Sequence, residues 1–585
     1  MVVKRYERFQ ESQHILAPDQ NHKRWVFLNI IAIVVGLIGS LISVAFHYLL
    51  DLFEIFFRNI FLPLVTINIG PYNLGYIILA VLGGVIVGFL TNKVSEESKG
   101  SGIGEVIESS VLARGKIKKK TPFIKAVTSA TTVSTASAGR EGPVALMGGS
   151  VGSFIGNTLK LNPQQIRLLI ASGVAAAVAG TFNAPLGGAI FSLEVLFNGI
   201  GVFSSIPVFL ASVVGAVVSS NIIGTEQLFA FEFAPELFHS SQYILIAIFG
   251  IIMGVVGFFW VSLFKIIAKQ FHNRKINNYL KPILGAGIAG VIIMLYPSAG
   301  LLGTGYDGIL KSLDGTIVPW LMIILGVLKM ISTAFTIGSG NSGGVFGPSL
   351  YIGCMFGGVF GHILQYLFPS IVINNKIYMI IGMASMFAAA AQSPINMSIM
   401  IPELTKDFWL IPMIMLACGF SFLISWIFLN RSSIYTIKFE LRGLKLKVGT
   451  LFILQDMSIS ELIKEPHIKI HKESTVKEFC EISQEYGFKN LPVMDMGKLL
   501  GIINIEDCMN ISEEKWGQMT IEQLIRRNVP IINQFAKIQD AIDKMVEYNT
   551  KKLVVVQKRD TDLVVGLIDV EDISDMFKNL RKLLK

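Results

Sequence analysis

The sequence predicts an α-helical polytopic membrane domain followed by a small α/β domain made of two similar units. Three observations predict it. Of the 585 residues, 52% are hydrophobic and only 16% charged, with a mean hydropathy of +0.59, a composition outside the range of ordinary soluble chains. Apolar runs long enough to cross about 30 Å of hydrocarbon recur at 26–50, 74–91, 166–199, 202–223, 241–268, 317–337, 377–401 and 408–430. After Asn430 these runs stop, and charged residues recur every few positions through Lys585.

The first segment, 1–24, is basic (Lys4, Arg5, Arg8, Lys23, Arg24). No small-residue cleavage site follows the first apolar run, which is too long for a signal-peptide core, so the segment is expected to be retained on the cytoplasmic side. The membrane domain is expected over 25–430. Basic clusters from Arg114 to Lys120 and from Lys265 to Lys281 mark further cytoplasmic loops, whereas 223–240 holds Glu226, Glu232 and Glu236 without Lys or Arg and should face outward. The end of the last membrane helix and a linker occupy 431–452, and the two tail units 453–512 and 513–585. Both termini are expected in the cytoplasm and the chain in the plasma membrane. The net charge of +9 gathers at membrane flanks, which argues against a nucleic-acid partner. Cys354, Cys418, Cys480 and Cys508 lie far apart. They read as packed thiols, not as a metal site.

The tail repeats itself with a period of about sixty residues. MSISELI, a helical stretch at 475–487, LPVMD (491–495) and GIINIEDCM (501–509) are answered by MTIEQLI, a helical stretch at 538–548, LVVVQ (553–557) and GLIDVEDIS (566–574). Each unit is too small to bury a core well, so pairing is expected.

Three glycine-rich motifs interrupt the membrane domain: KGSGIGEV (99–106), AGREGPVALMGG (138–149) and IGSGNSGGVFGPSLYIG (337–353). In hydrocarbon, broken helices are tolerated only where they line a cavity or bind a ligand. Three helix N-termini aimed at one point would offer free N–H donors and positive dipole ends to a small anion. Glycines that merely let helices pack closely are the alternative for any one motif. Three motifs, one with a charged Arg–Glu pair, favour the anion site.

These motifs, in this order and with SIYTIKFELRG at 433–443, resemble the CLC chloride channels and transporters, and the tail resembles the pair of CBS modules that many of them carry. The resemblance implies a CLC fold of two inverted-topology repeats and a homodimer with one pore per subunit. It also implies residues. Ser101 and Tyr435 would give hydroxyls to a central chloride. Gly102 and Ile103 frame the same site at the first motif, and the backbone N–H groups of Val345 and Phe346 complete the inner cage. Those of Arg140, Glu141 and Gly142 would frame the external site. The Glu141 carboxylate would act as a tethered anion that leaves the path when protonated, and Lys125 would raise the positive potential of the pore. Ser101 and Pro143 are of the chloride type, unlike the fluoride and nitrate branches. In the tail, Asp507 and Asp572 stand where a ribose-binding acid is expected, implying ATP, ADP or AMP as ligand, although Asn504 and Asp569 replace the usual hydroxyls.

One departure bears on mechanism. Proton-coupled members end the helix at FNAPLGGAIFSLEVLF (182–197) with two acids, the second relaying protons; here these positions hold Glu194 and Val195. Val195 favours a passive chloride channel. The compact tail and short loops resemble prokaryotic members, among which exchange is common, with Glu194 as substitute relay. Chloride–proton exchange is the reading adopted, with the channel as alternative. A sodium-coupled symporter does not account for the ordered motifs. A membrane enzyme would need a catalytic or metal cluster, and the eight histidines form no such spacing.

Overall fold

The computed structural model describes residues 22–573 except 112–114, 198–201, 226–227, 230, 232–238, 431, 442–458, 464–469 and brief stretches of the tail (487–489, 496–497, 510, 527–529, 537, 549, 551, 558–559 and 571). The acidic residues of 223–240 and the end of the SIYTIKFELRG segment thus lie outside the described residues. The chain divides into a unit of residues 15–451 and a unit containing 452–585.

The membrane unit begins with α1 (His22–Glu54), α2 (Gly75–Lys93), α3 (Ile103–Val111), α4 (Thr121–Thr135), α5 (Glu141–Thr158), α6 (Pro163–Phe182), α7 (Pro185–Phe197) and α8 (Val202–Ile223). A second passage follows the same succession of long and short helices: α9 (Gln242–Asn273), α10 (Leu280–Leu295), α11 (Tyr306–Leu313), α12 (Pro319–Gly338), α13 (Phe346–Leu367), α14 (Lys376–Ala391), α15 (Pro394–Thr405) and α16 (Ile411–Leu429), closed by the short α17 (Ile437–Leu441). Among the described residues, eight spans are long and apolar enough to cross a membrane.

These eight are not the eight runs of the sequence. The run 166–199 breaks between α6 and α7, and 377–401 between α14 and α15, each at a residue in the left-handed region, Asn183 (φ 53°) and Gln392 (φ 59°). A proline follows each break at the first helical position, where its missing N–H costs nothing. Conversely α13 is a span that hydropathy alone passed over, because its glycines dilute the apolar signal. They are there for packing: a Cβ at Gly353 would lie 2.2 Å from the Gly382 carbonyl oxygen, and one at Gly357 2.1 Å from that of Tyr378. Small residues let α13 and α14 approach backbone to backbone where no hydrophobic force drives helices together.

In the tail, β1 (Ile470–His471) pairs parallel with β2 (Asn490–Asp495), which pairs antiparallel with β3 (Lys498–Asn504). The second unit repeats the order with β4 (Ile531–Asn533), β5 (Lys552–Gln557) and β6 (Asp560–Asp569). Helices α18 (Val476–Tyr486) and α19 (Ile538–Glu547) follow β1 and β4. Met494 and Ile502 of one sheet share a core with Val554, Val556 and Val564 of the other, so the units pair. Their leading segments are exchanged relative to the sequence repeat. Ile459 packs with Ile532 and Ile538, and Ile521 with Val476 and Phe479. The backbone fixes this, since Ile459 N–H donates to Ala536 (2.9 Å) and Ile521 N–H to Ser474 (2.9 Å).

Candidate functional site

The broken-helix motifs meet through their backbones. Gly100 N–H donates to the Asn341 carbonyl (3.0 Å) and Gly343 N–H to that of Gly100 (3.1 Å). Gly139 and Gly344 exchange N–H···O bonds of 2.7 and 2.6 Å. Loop groups that a broken helix leaves open are thereby satisfied without water. Gly142 marks the closest approach: a Cβ there would sit 1.9 Å from the Ser101 carbonyl oxygen and 3.3 Å from the Gly344 Cα. The first turns of α3, α5 and α13 therefore gather around Gly142, bringing Ser101, Gly102, Ile103, Arg140 and Glu141 together with Val345 and Phe346. Tyr435 joins them from the segment before α17. Its ring centroid is 6.3 Å from that of Phe387, which is 4.6 Å from that of Phe346, and its carbonyl oxygen lies 3.4 Å from where a Cβ of Gly104 would be.

A fourth loop, 300–305, belongs to the same junction and was not read from the sequence. Ala138 N–H donates to Gly303 (3.2 Å) and Gly303 N–H to Ala136 (2.8 Å). The loop leads into α11 with GTGYDG (303–308), the counterpart of GSGIGE (100–105); aligning the two halves would have found it.

Each half secures its loop with a buried lysine. Lys125 on α4 donates to the carbonyls of Ser98 (3.1 Å) and Gly100 (2.6 Å). Lys329 on α12 donates to those of Gly300, Leu301 and Gly303 at 2.9–3.0 Å. One turn on, the hydroxyls of Ser129 and Ser342 meet at 2.8 Å, and so do those of Thr333 and Ser137. The two halves thus make the same contacts with their roles exchanged.

Glu141 is buried, and both its oxygens are engaged. Oε1 accepts from the Tyr306 hydroxyl, and Oε2 from the Gly347 N–H at 3.4 Å. The carboxylate therefore lies at the first turn of α13, where free N–H groups favour an anion. Arg140 precedes it with its guanidinium 5.5 Å from the Tyr306 ring centroid, and its buried Nε has no hydrogen-bond partner among the described residues. A cavity of about 340 Å³ on this side is lined by Ser43, His47, Arg140, Thr181, Asn183 and Ser219 among others.

Glu194 lies elsewhere, and three donors hold its carboxylate. The Ser393 hydroxyl (2.7 Å) and the N–H groups of Ile395 (3.1 Å) and Asn396 (2.7 Å) cap the N-terminus of α15 with it. Glu403 does the same for α7, accepting from Leu186 (3.0 Å) and Gly187 (2.6 Å). The two helices run antiparallel, each capped by a glutamate nine residues into the other. Val195 is buried among apolar groups.

In the tail, Asp507 is paired bidentately with Arg526, Oδ2 to Nε at 3.0 Å and Oδ1 to Nη2 at 2.5 Å. Asp572 accepts from the Asp569 N–H (3.1 Å), and Lys552 lies 3.5 Å from the Asp569 carboxylate. The four cysteines are buried and free, and burial pushes the Cys508 thiol up to about 12.

Comparison with known proteins accounts for both units. Residues 83–426 match the family described as "Voltage gated chloride channel", and 459–514 and 521–579 match the CBS domain. A "Voltage-gated ClC-type chloride channel ClcB" from Escherichia coli O17:K52:H18 (strain UMN026 / ExPEC) is 30% identical over 416 residues, covering 69% of this chain and 97% of that protein. Among solved structures, "a slow cyanobacterial Cl-/H+ antiporter" aligns with a TM-score of 0.63 at 24% identity, covering 71% of this chain and 98% of the other. "A eukaryotic CLC transporter" aligns with a TM-score of 0.60 at 19% identity, covering 94% of this chain and 97% of the other. At such identities the structural likeness speaks for the fold. The length of the family match and the ClcB relative carry the assignment: this chain belongs to the CLC family of voltage-gated chloride channels and transporters, with a CBS pair in its tail.

Proposed function

We propose that the protein exchanges chloride for protons across the cell membrane as a homodimer with one path per subunit and both termini in the cytoplasm. The observation that carries the reading is the placement of the Glu141 carboxylate at the junction of four broken-helix loops, bound to a helix N-terminus as a chloride would be. Chloride passes sites framed by the hydroxyls of Ser101 and Tyr435, by Gly102 and Ile103, whose turn is tied back by the Gly102 N–H donating to the Glu105 carboxylate (3.0 Å), and by the N–H groups of Arg140, Glu141, Gly142, Val345 and Phe346. An external proton neutralises Glu141, the neutral side chain gives up its place, and chloride occupies it. One residue thereby links proton binding to anion movement. Lys125, on the Gly100 carbonyl, holds positive charge beside the first motif. The likeness to a structure described as a Cl-/H+ antiporter agrees with this reading.

The second reading is a passive channel, favoured by Val195 at the relay position and by the commitment of Glu194 to capping α15. Purified protein in liposomes decides between them. A chloride gradient with the voltage held at zero and no initial pH gradient should drive internal pH away from its starting value, and Glu141→Gln should abolish that proton movement while chloride still flows. Chloride flux without proton movement in the wild type establishes the channel.

For the tail we read an adenine nucleotide as regulatory ligand, with the Asp507 and Asp572 carboxylates toward its ribose. Lys552 beside Asp569 offsets a carboxylate that would otherwise repel phosphate.

A further inference from the structure

We propose that Tyr306 is a positioning residue that latches the Glu141 side chain across the anion path through its phenolic hydroxyl. The inference rests on the reading of Glu141 as gate and adds what sets the firmness of its closure. Tyr306 is the first residue of α11, behind Gly305 in the left-handed region (φ 94°), a conformation suited to glycine. This turn aims the side chain into the junction. The ring is fixed on two sides, by the edge of Phe229 at 5.6 Å between centroids and by the Arg140 guanidinium at 5.5 Å. Its hydroxyl then meets Glu141 Oε1, while the Gly347 N–H holds Oε2. The hydroxyl comes from the second half of the chain and the carboxylate from the first. In the counterpart of this position the first half has Ile103, which can make no such bond. Opening the gate therefore breaks a bond that only one half supplies.

The charged and titratable groups around the Glu141 carboxylate are Arg140 beside it, Tyr306 on α11 and Tyr435 ahead of α17. Among the described residues the carboxylate accepts from the Tyr306 hydroxyl and the Gly347 N–H, so the Tyr306 hydroxyl is the neutral side-chain donor directly attached. A phenol donates to an ionised oxygen far better than to a protonated one. The latch accordingly favours the docked, ionised side chain, and its loss lets protonation release the side chain at lower proton concentration.

The test is chloride flux against external pH in liposomes for the wild type, Tyr306→Phe, Glu141→Gln and the double variant. Tyr306→Phe removes one oxygen and keeps the ring against Phe229 and Arg140. Its acid-activated limb should move to higher pH by about one to two units, a hydrogen bond to a charged group of about 1.5–3 kcal/mol converted at about 1.36 kcal/mol per unit. In the Glu141→Gln background the substitution should leave the curve where it was. 3-Fluorotyrosine at position 306, a stronger donor of the same shape, should move the limb of the wild type to lower pH. Coincident curves for wild type, Tyr306→Phe and the fluorinated protein, with Glu141→Gln still uncoupled, overturn the latch and leave the gate standing. A shift that persists in the double variant also overturns it, since the hydroxyl then acts elsewhere. Proton coupling retained by Glu141→Gln overturns the gate and the latch together.

Discussion

Asp507 shows how a single residue can be legible as to type and illegible as to state. Its position after GIINIE suggests an acid offered to a ribose, yet Arg526 holds both of its oxygens. That pairing joins residues 19 positions apart, and Arg526 stands just after MTIEQLI with nothing in the repeat to mark it as a partner. The arginine side chain is 65% exposed, and an ion pair so open to solvent is worth about 0–1 kcal/mol. Nucleotide can therefore displace it, but at that cost. Arg526→Ala in the full-length protein should tighten AMP, ADP or ATP binding by up to about fivefold, the factor that corresponds to about 1 kcal/mol, as read by isothermal titration. Weaker binding in the variant would instead make Arg526 a phosphate ligand, and no heat in either protein would make the tail a scaffold.

At the scale of elements, the reciprocal caps between α7 and α15 assign Glu194 a structural task. The sequence offered Glu194 as a relay because it sits beside Val195; what it could not offer was the partner, 199 residues away at Ser393. Glu403 sits nine residues after Pro394 as Glu194 does after Pro185, so the pairing becomes readable once the halves are aligned. Each carboxylate satisfies N–H groups that a helix start leaves open and places negative charge at the positive end of a dipole. Glu194→Gln and Glu403→Gln should each cost about 1.5–3 kcal/mol, the worth of a hydrogen bond to a charged group, and lower the melting temperature alike. The ratio of chloride to protons transported should stay at the wild-type value in both variants. A ratio that collapses in Glu194→Gln alone, with stability unchanged, would return Glu194 to the proton route.

At the scale of the whole molecule, what the sequence made legible was the class of fold, the change of character after Asn430 and the three motifs whose N-termini now surround Gly142. Within the membrane unit, what stayed hidden belongs to the second half. The second half supplies Lys329 and the 300–305 loop through contacts that mirror the first, and Tyr306 where the first half has Ile103; hydropathy does not report such a relation because glycines and lone lysines dilute an apolar run. The proposed path lies within the membrane unit. Ser101, the Arg140–Gly142 turn, Val345, Phe346 and Tyr435 all lie within the compact unit of residues 15–451, and every residue proposed for nucleotide lies within the unit holding 452–585. Coupling and regulation should therefore separate on truncation. A protein ending at Leu451 should exchange chloride for protons in liposomes at the ratio of the full chain, because the gate, its loops and both lysines are retained. Any change of rate on adding nucleotide to the full chain should be absent from it. An altered ratio in the truncated protein would place part of the proton route under control of the tail, and a nucleotide response that survives truncation would move the nucleotide site into the membrane unit.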